Sequence, residues 1–130
     1  MDTKTNKSSA GKEVQRLKYY PIAAVWEITY ECNMRCKHCV SSCGEKNPDE
    51  LTTEEALNLC DKLADLGLSR LTLSGGEPLL RDDWLTIAEK LTNNNILVNV
   101  ISNGWCIDKA LLDDARRVGI INIGVRSGWA

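Results

Sequence analysis

The chain has 130 residues, of which 43% are hydrophobic and 26% are charged, and its net charge is −2. This length fits one small domain. The lack of an apolar run of about 18 residues argues against a transmembrane helix, and the near-neutral charge argues against a general nucleic-acid binder. The polar N-terminus lacks the apolar segment of a secretory signal, so we expect a cytoplasmic protein with no membrane partner and no nucleic-acid partner.

Residues 1–18 are polar and rich in lysine, and we expect a disordered tail there, followed by a domain over 19–130. In this domain, β-branched segments alternate with segments whose apolar residues recur at helical spacing. The predicted strands cover residues 22–30, 68–74, 97–101 and 120–125. The predicted helices begin near Thr52, Asp83 and Asp108 and end near Gly67, Asn93 and Gly119. The alternation predicts an α/β fold with a parallel sheet.

Several residues outside the motifs have a predicted structural role. Thr52 and Glu55 fit a capping box, and the pair Asp82-Asp83 is expected to cap the second helix. Cys60 lies on the apolar stripe of the first helix and is expected in the core. The tryptophans Trp26, Trp84 and Trp105 are interpreted as packing residues rather than as a substrate platform.

Four of the six cysteines fall within twelve residues, at Cys32, Cys36, Cys39 and Cys43. Without an export signal, clustered cysteines indicate metal binding or catalysis rather than disulfides. The first three have the spacing C-x3-C-x2-C and follow a predicted strand, where α/β sheets place their ligands. Three thiolates can hold an iron–sulfur cluster and leave one iron open. A closed zinc site of all four cysteines is the alternative, and Cys43 is otherwise interpreted as a spare thiol.

Two further motifs follow the next two predicted strands. Ser74-Gly75-Gly76-Glu77-Pro78 ends the second strand, and Ser102-Asn103-Gly104 follows the third. Glycines allow close approach of a ligand to the backbone, and a carboxylate at this edge can orient an ammonium group. The Asn-Gly pair is also an ordinary turn signal, so the third motif is the weaker one.

Over residues 22–125, these motifs and their order resemble the radical S-adenosylmethionine (SAM) superfamily. The resemblance implies the N-terminal part of a partial (β/α)6 barrel that holds a 4Fe–4S cluster through Cys32, Cys36 and Cys39. It also implies that SAM chelates the open iron through its amino and carboxylate groups. Reductive cleavage of SAM in this family gives a 5′-deoxyadenosyl radical, which abstracts hydrogen from the substrate.

The resemblance also implies residues around SAM and partners of the protein. The expected cofactor-binding residues are Gly75, Gly76, Glu77, His38, Ser102 and Asn103. The family uses an electron donor of flavodoxin or ferredoxin type. The residues from Cys32 to Cys43 are similar to those of the SPASM-type members, which modify peptides or proteins, so a peptide or protein substrate is expected.

Two departures from the family pattern lead us to expect a truncated chain. The sequence supplies four strands of the barrel, and residues 126–130 lack the Ser-x-Asp-Gly-like segment that helps to hold the ribose of SAM. A frameshift or premature stop would explain this ending. The alternatives for function are a non-catalytic remnant of such an enzyme and a small module that binds an iron–sulfur cluster or zinc.

Overall fold

A computed structural model describes residues 21–33 and 44–126, so the predicted tail lies outside the described residues. The strands are β1 (Ala23–Thr29), β2 (Arg70–Gly75), β3 (Leu97–Ser102) and β4 (Asn122–Val125). The helices are α1 (Thr53–Asp65), α2 (Trp84–Asn93) and α3 (Lys109–Arg117), with a short 3-10 helix at Pro78–Leu80. The predicted α/β fold and the order of its strands and α-helices are confirmed. In this part of the chain, every helix is too short or too polar to cross a bilayer.

The four strands form one parallel sheet in the order β1-β2-β3-β4. In this register Leu71 of β2 lies opposite Ala24 of β1 and Val98 of β3. Each strand is joined to the next through a helix, as parallel pairing requires. The carboxyl ends of all four strands therefore lie at one edge of the sheet, where all three motifs begin.

The core lies between the sheet and the helices. Side chains in β2 and β3 alternate, and Leu71, Leu73, Val98 and Val100 are fully buried. The buried residues contributed by the helices are Ala56, Cys60, Trp84, Ile87, Ala88, Leu91 and Ala115. Burial of each large apolar side chain contributes about 1.5–3 kcal/mol. The predicted core position of Cys60 is confirmed.

β2 and β4 each begin two residues later than predicted, and the cause is the same for both. Gly67 and Gly119 adopt φ values of +85° and +91° and end their helices as expected. The next residue in each case is still tied to the helix, because Leu68 N donates to Leu63 O at 3.2 Å and Ile120 N donates to Ala115 O at 3.0 Å. Such C-terminal capping bonds keep these residues out of the strand ladder.

The capping box at α1 is confirmed, but the cap predicted for α2 is wrong. Thr52 Oγ1 accepts from Glu55 N at 3.2 Å, and Glu55 Oε1 accepts from Thr52 N at 3.0 Å. Asp83 occupies the N-cap position of α2 without making a side-chain capping bond. Its carboxylate instead pairs with Arg81, at 2.5 Å between Oδ1 and Nε, because a buried guanidinium needs a counterion.

The tryptophan prediction is right for two of the three residues. Trp84 is only 7% exposed, and Trp26 packs against the core. Trp105 is 72% exposed and stands on the loop that follows β3. The packing role is therefore wrong for Trp105, which lies beside the candidate site instead.

Candidate functional site

The structure brings the start of the cysteine motif and the two later motifs together at the carboxyl edge of the sheet. Cys32 follows β1, Glu77 follows β2, and Asn103 follows β3. Side-chain hydrogen bonds connect these three loops. The other residues predicted there, Cys36, His38, Cys39 and Cys43, lie outside the described residues.

A pair of backbone hydrogen bonds holds the two ends of the cysteine loop together. Cys32 N donates to Gly44 O at 3.1 Å, and Gly44 N donates to Tyr30 O at 2.9 Å. Glu31 and Gly44 form an isolated parallel bridge at the same point. We call residues 30–32 and 44 the neck. The segment that carries the remaining clustered cysteines therefore begins and ends at the carboxyl end of β1.

Gly75 and Gly76 are required by the close approach of this segment to Thr29, at the end of β1, and to the neck. Gly76 N donates to Thr29 O at 2.8 Å, and Glu77 N donates to Glu31 O at 2.7 Å. A Cβ on Gly75 would lie 2.2 Å from Thr29 O, and one on Gly76 would lie 2.2 Å from Glu31 O. Gly75 also has a φ of +134°. The glycines thus serve the packing of protein against protein, while approach of SAM to this backbone stays a prediction.

Glu77 is fully buried, and its carboxylate joins two loops of the site. Oε2 accepts from Asn103 N at 2.6 Å and from Ser102 Oγ at 3.0 Å. Oε1 accepts from Leu79 N at 3.1 Å, at the start of the 3-10 helix. Glu77 therefore fixes the end of β3 relative to the end of β2. A contact between Glu77 and the ammonium group of SAM stays a prediction.

Ser102 and Asn103 connect this carboxylate to the cysteine loop. The Ser102 hydroxyl is buried and accepts from Gly104 N at 2.9 Å, which tightens the turn after β3. The Asn103 side chain points the other way, and its Nδ2 lies 2.6 Å from Asn33 Oδ1 and 3.8 Å from Cys32 Sγ. Asn103 thus contacts the loop of the first predicted cluster ligand, while contacts of Ser102 and Asn103 with SAM stay predictions.

A further cysteine lies close to this contact. Asn33 Nδ2 donates to the sulfur of Cys106 at 3.9 Å. Burial raises the pKa of the Cys106 thiol, and the negative charges of Glu77 and Asp108 raise it further. The Cys106 thiol is therefore protonated at neutral pH and is a weak nucleophile.

Sequence reasoning missed two residues that support the base of the site. Arg81 is buried and donates to Ile28 O at 2.8 Å and to Leu51 O at 2.6 Å, in addition to its pair with Asp83. Glu50 Oε1 accepts from Thr29 Oγ1 at 2.8 Å and from Tyr30 N at 2.7 Å. No periodicity marks either residue, because both act through backbone groups that are distant in the sequence.

The ion pair below the site sets the ionisation of Asp83. Burial alone would raise the pKa of Asp83, but hydrogen bonds from Arg81 and Thr53 outweigh this effect and hold the pKa below its ordinary value. The Thr53 bond is 2.6 Å long and ties the start of α1 to the start of α2. The carboxylate of Asp83 therefore stays ionised well below neutral pH.

The donor set fits an iron–sulfur cluster as far as it is described. Cys32 lies at the neck, partly exposed, with an amide N–H at 3.8 Å from its sulfur, an environment that suits a cluster thiolate. In the described ranges 21–33 and 44–126, no three His, Cys, Asp or Glu side chains are grouped for a metal. Of the three predicted ligands, this result applies only to Cys32, because Cys36 and Cys39 lie between the two described ranges.

Comparison with known proteins finds similar sequences. A family model described as the radical SAM superfamily matches residues 26–128. The AdoMet-dependent heme synthase of Methanosarcina barkeri is 36% identical over 106 residues, covering 81% of this chain and 30% of that protein. The PqqA peptide cyclase of Granulibacter bethesdensis is 31% identical over 104 residues, covering 79% of this chain and 28% of that protein.

The fold also matches solved structures. The crystal structure of Streptococcus suis SuiB bound to the precursor peptide SuiA has a TM-score of 0.69 and 20% sequence identity to this chain. The match covers 82% of this chain and 25% of SuiB. Likewise, the chain spans less than a third of the length of the two curated relatives.

Proposed function

Because this chain belongs to the radical SAM superfamily, a family of enzymes, we propose that it holds a 4Fe–4S cluster through Cys32, Cys36 and Cys39. We also propose that SAM binds beside the cluster, at the edge formed by residues 75–77 and 102–103. We further propose that these residues correspond to the N-terminal part of the barrel in the relatives, of whose length the chain spans less than a third.

The observation that carries this proposal is the convergence of three loops on Cys32. The neck holds the cysteine loop at the end of β1, and Glu77 fixes the loop after β3 against it. Asn103 then contacts Asn33 and the sulfur of Cys32. A cluster held at Cys32 would therefore lie over the carboxyl ends of the strands, where open α/β sheets bind ligands.

When bound and reduced, the cluster would supply the electron that breaks a C–S bond of SAM, which gives methionine and a 5′-deoxyadenosyl radical. The residues of this chain hold and orient the reactants. In this proposal the cysteine thiolates bind iron, and residues 75–77 contact the methionyl part of SAM. Ser102, Asn103 and the backbone of His38 form the remaining proposed contacts, and a flavodoxin or ferredoxin serves as the electron donor.

We propose a peptide or protein as the substrate. The PqqA peptide cyclase and SuiB, which was solved with its precursor peptide, support this class. The other curated relative is named a heme synthase rather than a peptide cyclase, and its sequence identity to this chain is similar. The shared part of the chain therefore supports the cofactor chemistry more strongly than it supports the choice of substrate.

Anaerobic reconstitution with iron and sulfide tests the proposal. We expect a brown protein with about four irons per chain, the content of one such cluster. Adding SAM should change the EPR spectrum of the reduced cluster, and release of 5′-deoxyadenosine would distinguish an enzyme from a cluster-binding module.

Two cysteine variants provide the matched comparison. Cys36→Ala should abolish cluster assembly, whereas Cys43→Ala should leave the iron content unchanged, because a fourth ligand would block the open iron. One tightly bound zinc with no iron uptake would instead support the small zinc module and refute the proposal. Equal loss of iron in both variants would refute the assignment of three ligands.

A further inference from the structure

The side-chain amide of Asn103 lies between two acceptors on the cysteine loop. Its Nδ2 group has two hydrogens, and two acceptors are in range: Asn33 Oδ1 at 2.6 Å and Cys32 Sγ at 3.8 Å. One hydrogen can therefore point to each acceptor. Because Cys32 is a proposed cluster ligand, this contact puts a hydrogen-bond donor next to a cluster sulfur.

The orientation of this amide is fixed by the surrounding protein. The Asn103 carbonyl oxygen Oδ1 accepts from Trp105 N at 3.0 Å, so the NH2 group faces the cysteine loop. The backbone N–H of Asn103 is held by the buried carboxylate of Glu77 at 2.6 Å. The donor is thus held from two sides before any cofactor binds, which limits its reorganisation when the cluster changes charge.

An N–H group beside a cluster sulfur changes the energy of reduction. Reduction adds negative charge to the cluster, and part of this charge resides on the cysteine sulfurs. A hydrogen-bond donor stabilises the more negative state more strongly, and hydrogen bonds to the sulfurs are among the features that set cluster potentials. Removing the donor should therefore make the cluster harder to reduce.

We propose that Asn103 is a positioning residue that raises the reduction potential of the cluster through a hydrogen bond to Cys32 Sγ. This inference rests on the proposed function, since it requires a cluster at Cys32. It goes beyond that function because it gives the Asn103 side-chain amide a role at the cluster sulfur, besides the proposed contact of residue 103 with SAM.

The test is an anaerobic redox titration of the reconstituted 130-residue chain, without SAM, followed by the EPR signal of the reduced cluster. We expect Asn103→Ala to shift the one-electron equilibrium about tenfold towards the oxidised cluster. This shift corresponds to a reduction potential lower by about 59 mV. Asn103→Ser should give a similar shift, because its hydroxyl can still accept from Trp105 N but is too short to reach Cys32.

Asn33→Ala is the matched control. Its own amide donates to Cys106, at 3.9 Å from Nδ2 to Sγ. This variant removes one partner of Asn103 from the same loop but leaves the donor beside Cys32, so the potential should stay close to that of the unchanged protein. An equal shift in Asn33→Ala would assign the effect to general loosening of the loop and overturn the proposal.

A second measurement uses the unchanged protein and does not depend on whether a variant folds. Pulsed EPR of the reduced cluster, with isotopically labelled asparagine side-chain nitrogen, should detect a coupling between that nitrogen and the cluster. Absence of the coupling, or unchanged potentials in both Asn103 variants, would refute this inference while leaving the proposed function intact. Failure of the unchanged chain to take up iron would refute both.

Discussion

Replacing Glu77 by alanine tests the buried carboxylate that joins the loops after β2 and β3. The change removes three accepted hydrogen bonds, from Leu79 N, Asn103 N and Ser102 Oγ. The serine hydroxyl can rotate to another acceptor, but the two amides cannot, and each unpaired buried donor costs about 1–3 kcal/mol. The free energy of unfolding should therefore fall by about 2–6 kcal/mol, a large part of the 5–15 kcal/mol typical of a domain.

Urea unfolding followed by far-UV circular dichroism, with the metal-free chain under reducing conditions, measures this loss. Glu77→Gln keeps the size of the side chain but replaces one acceptor by a donor, so its loss should be smaller than that of Glu77→Ala. Glu89→Ala removes an exposed carboxylate on α2 and should change the unfolding free energy by at most about 0.5 kcal/mol. A Glu77→Ala variant as stable as Glu89→Ala would refute the structural role.

Two further perturbations probe the core and the ion pair below the site. Burial, followed by the charge of Asp61, raises the pKa of the Cys60 thiol to about 11. The protonated thiol therefore contributes fully to stability below about pH 9, and this contribution is lost as the pH rises towards 11. Between pH 7 and 10.5, the unfolding free energy of the unchanged chain should therefore fall by up to about 2 kcal/mol more than that of Cys60→Ala. If the unfolding free energies of the two proteins fell equally over this range, the argument would be contradicted. Arg81→Met should cost about 3–5 kcal/mol in urea unfolding because it leaves Asp83 without its counterion. Exposed Arg70→Met should cost little, and equal losses would refute the argument.

The sequence predicted the elements of the fold because each has a strong local signal. Alternating burial in β3 and the capping box at Thr52 arise from residues a few positions apart, so their patterns are visible in the sequence. The 3-10 helix at Pro78–Leu80 is too short to show a periodicity. The late start of β2 depends on a backbone bond made by Leu68, which no side-chain pattern reports.

The motifs of the site were predictable, but the contacts between them were not. Charged residues are seldom fully buried, so nothing in the sequence shows that Glu77 points inward. Its donors Ser102 and Asn103 lie 25 and 26 positions away. The contact between Asn33 and Asn103 joins residues 70 positions apart. Such contacts exist only once the parallel sheet has brought three strand ends to one edge.

The neck has a consequence for how strongly a metal centre can be held. Bringing together the ends of a chain segment of about ten residues costs about 2 kcal/mol of conformational entropy. In this protein the backbone bonds of Gly44 to Tyr30 and Cys32 join those ends beside the sheet, at the isolated bridge between Glu31 and Gly44. If the enclosed cysteines chelate the proposed cluster, this entropy has already been lost on folding, so Gly44 would contribute to the affinity for the cluster although it supplies no ligand.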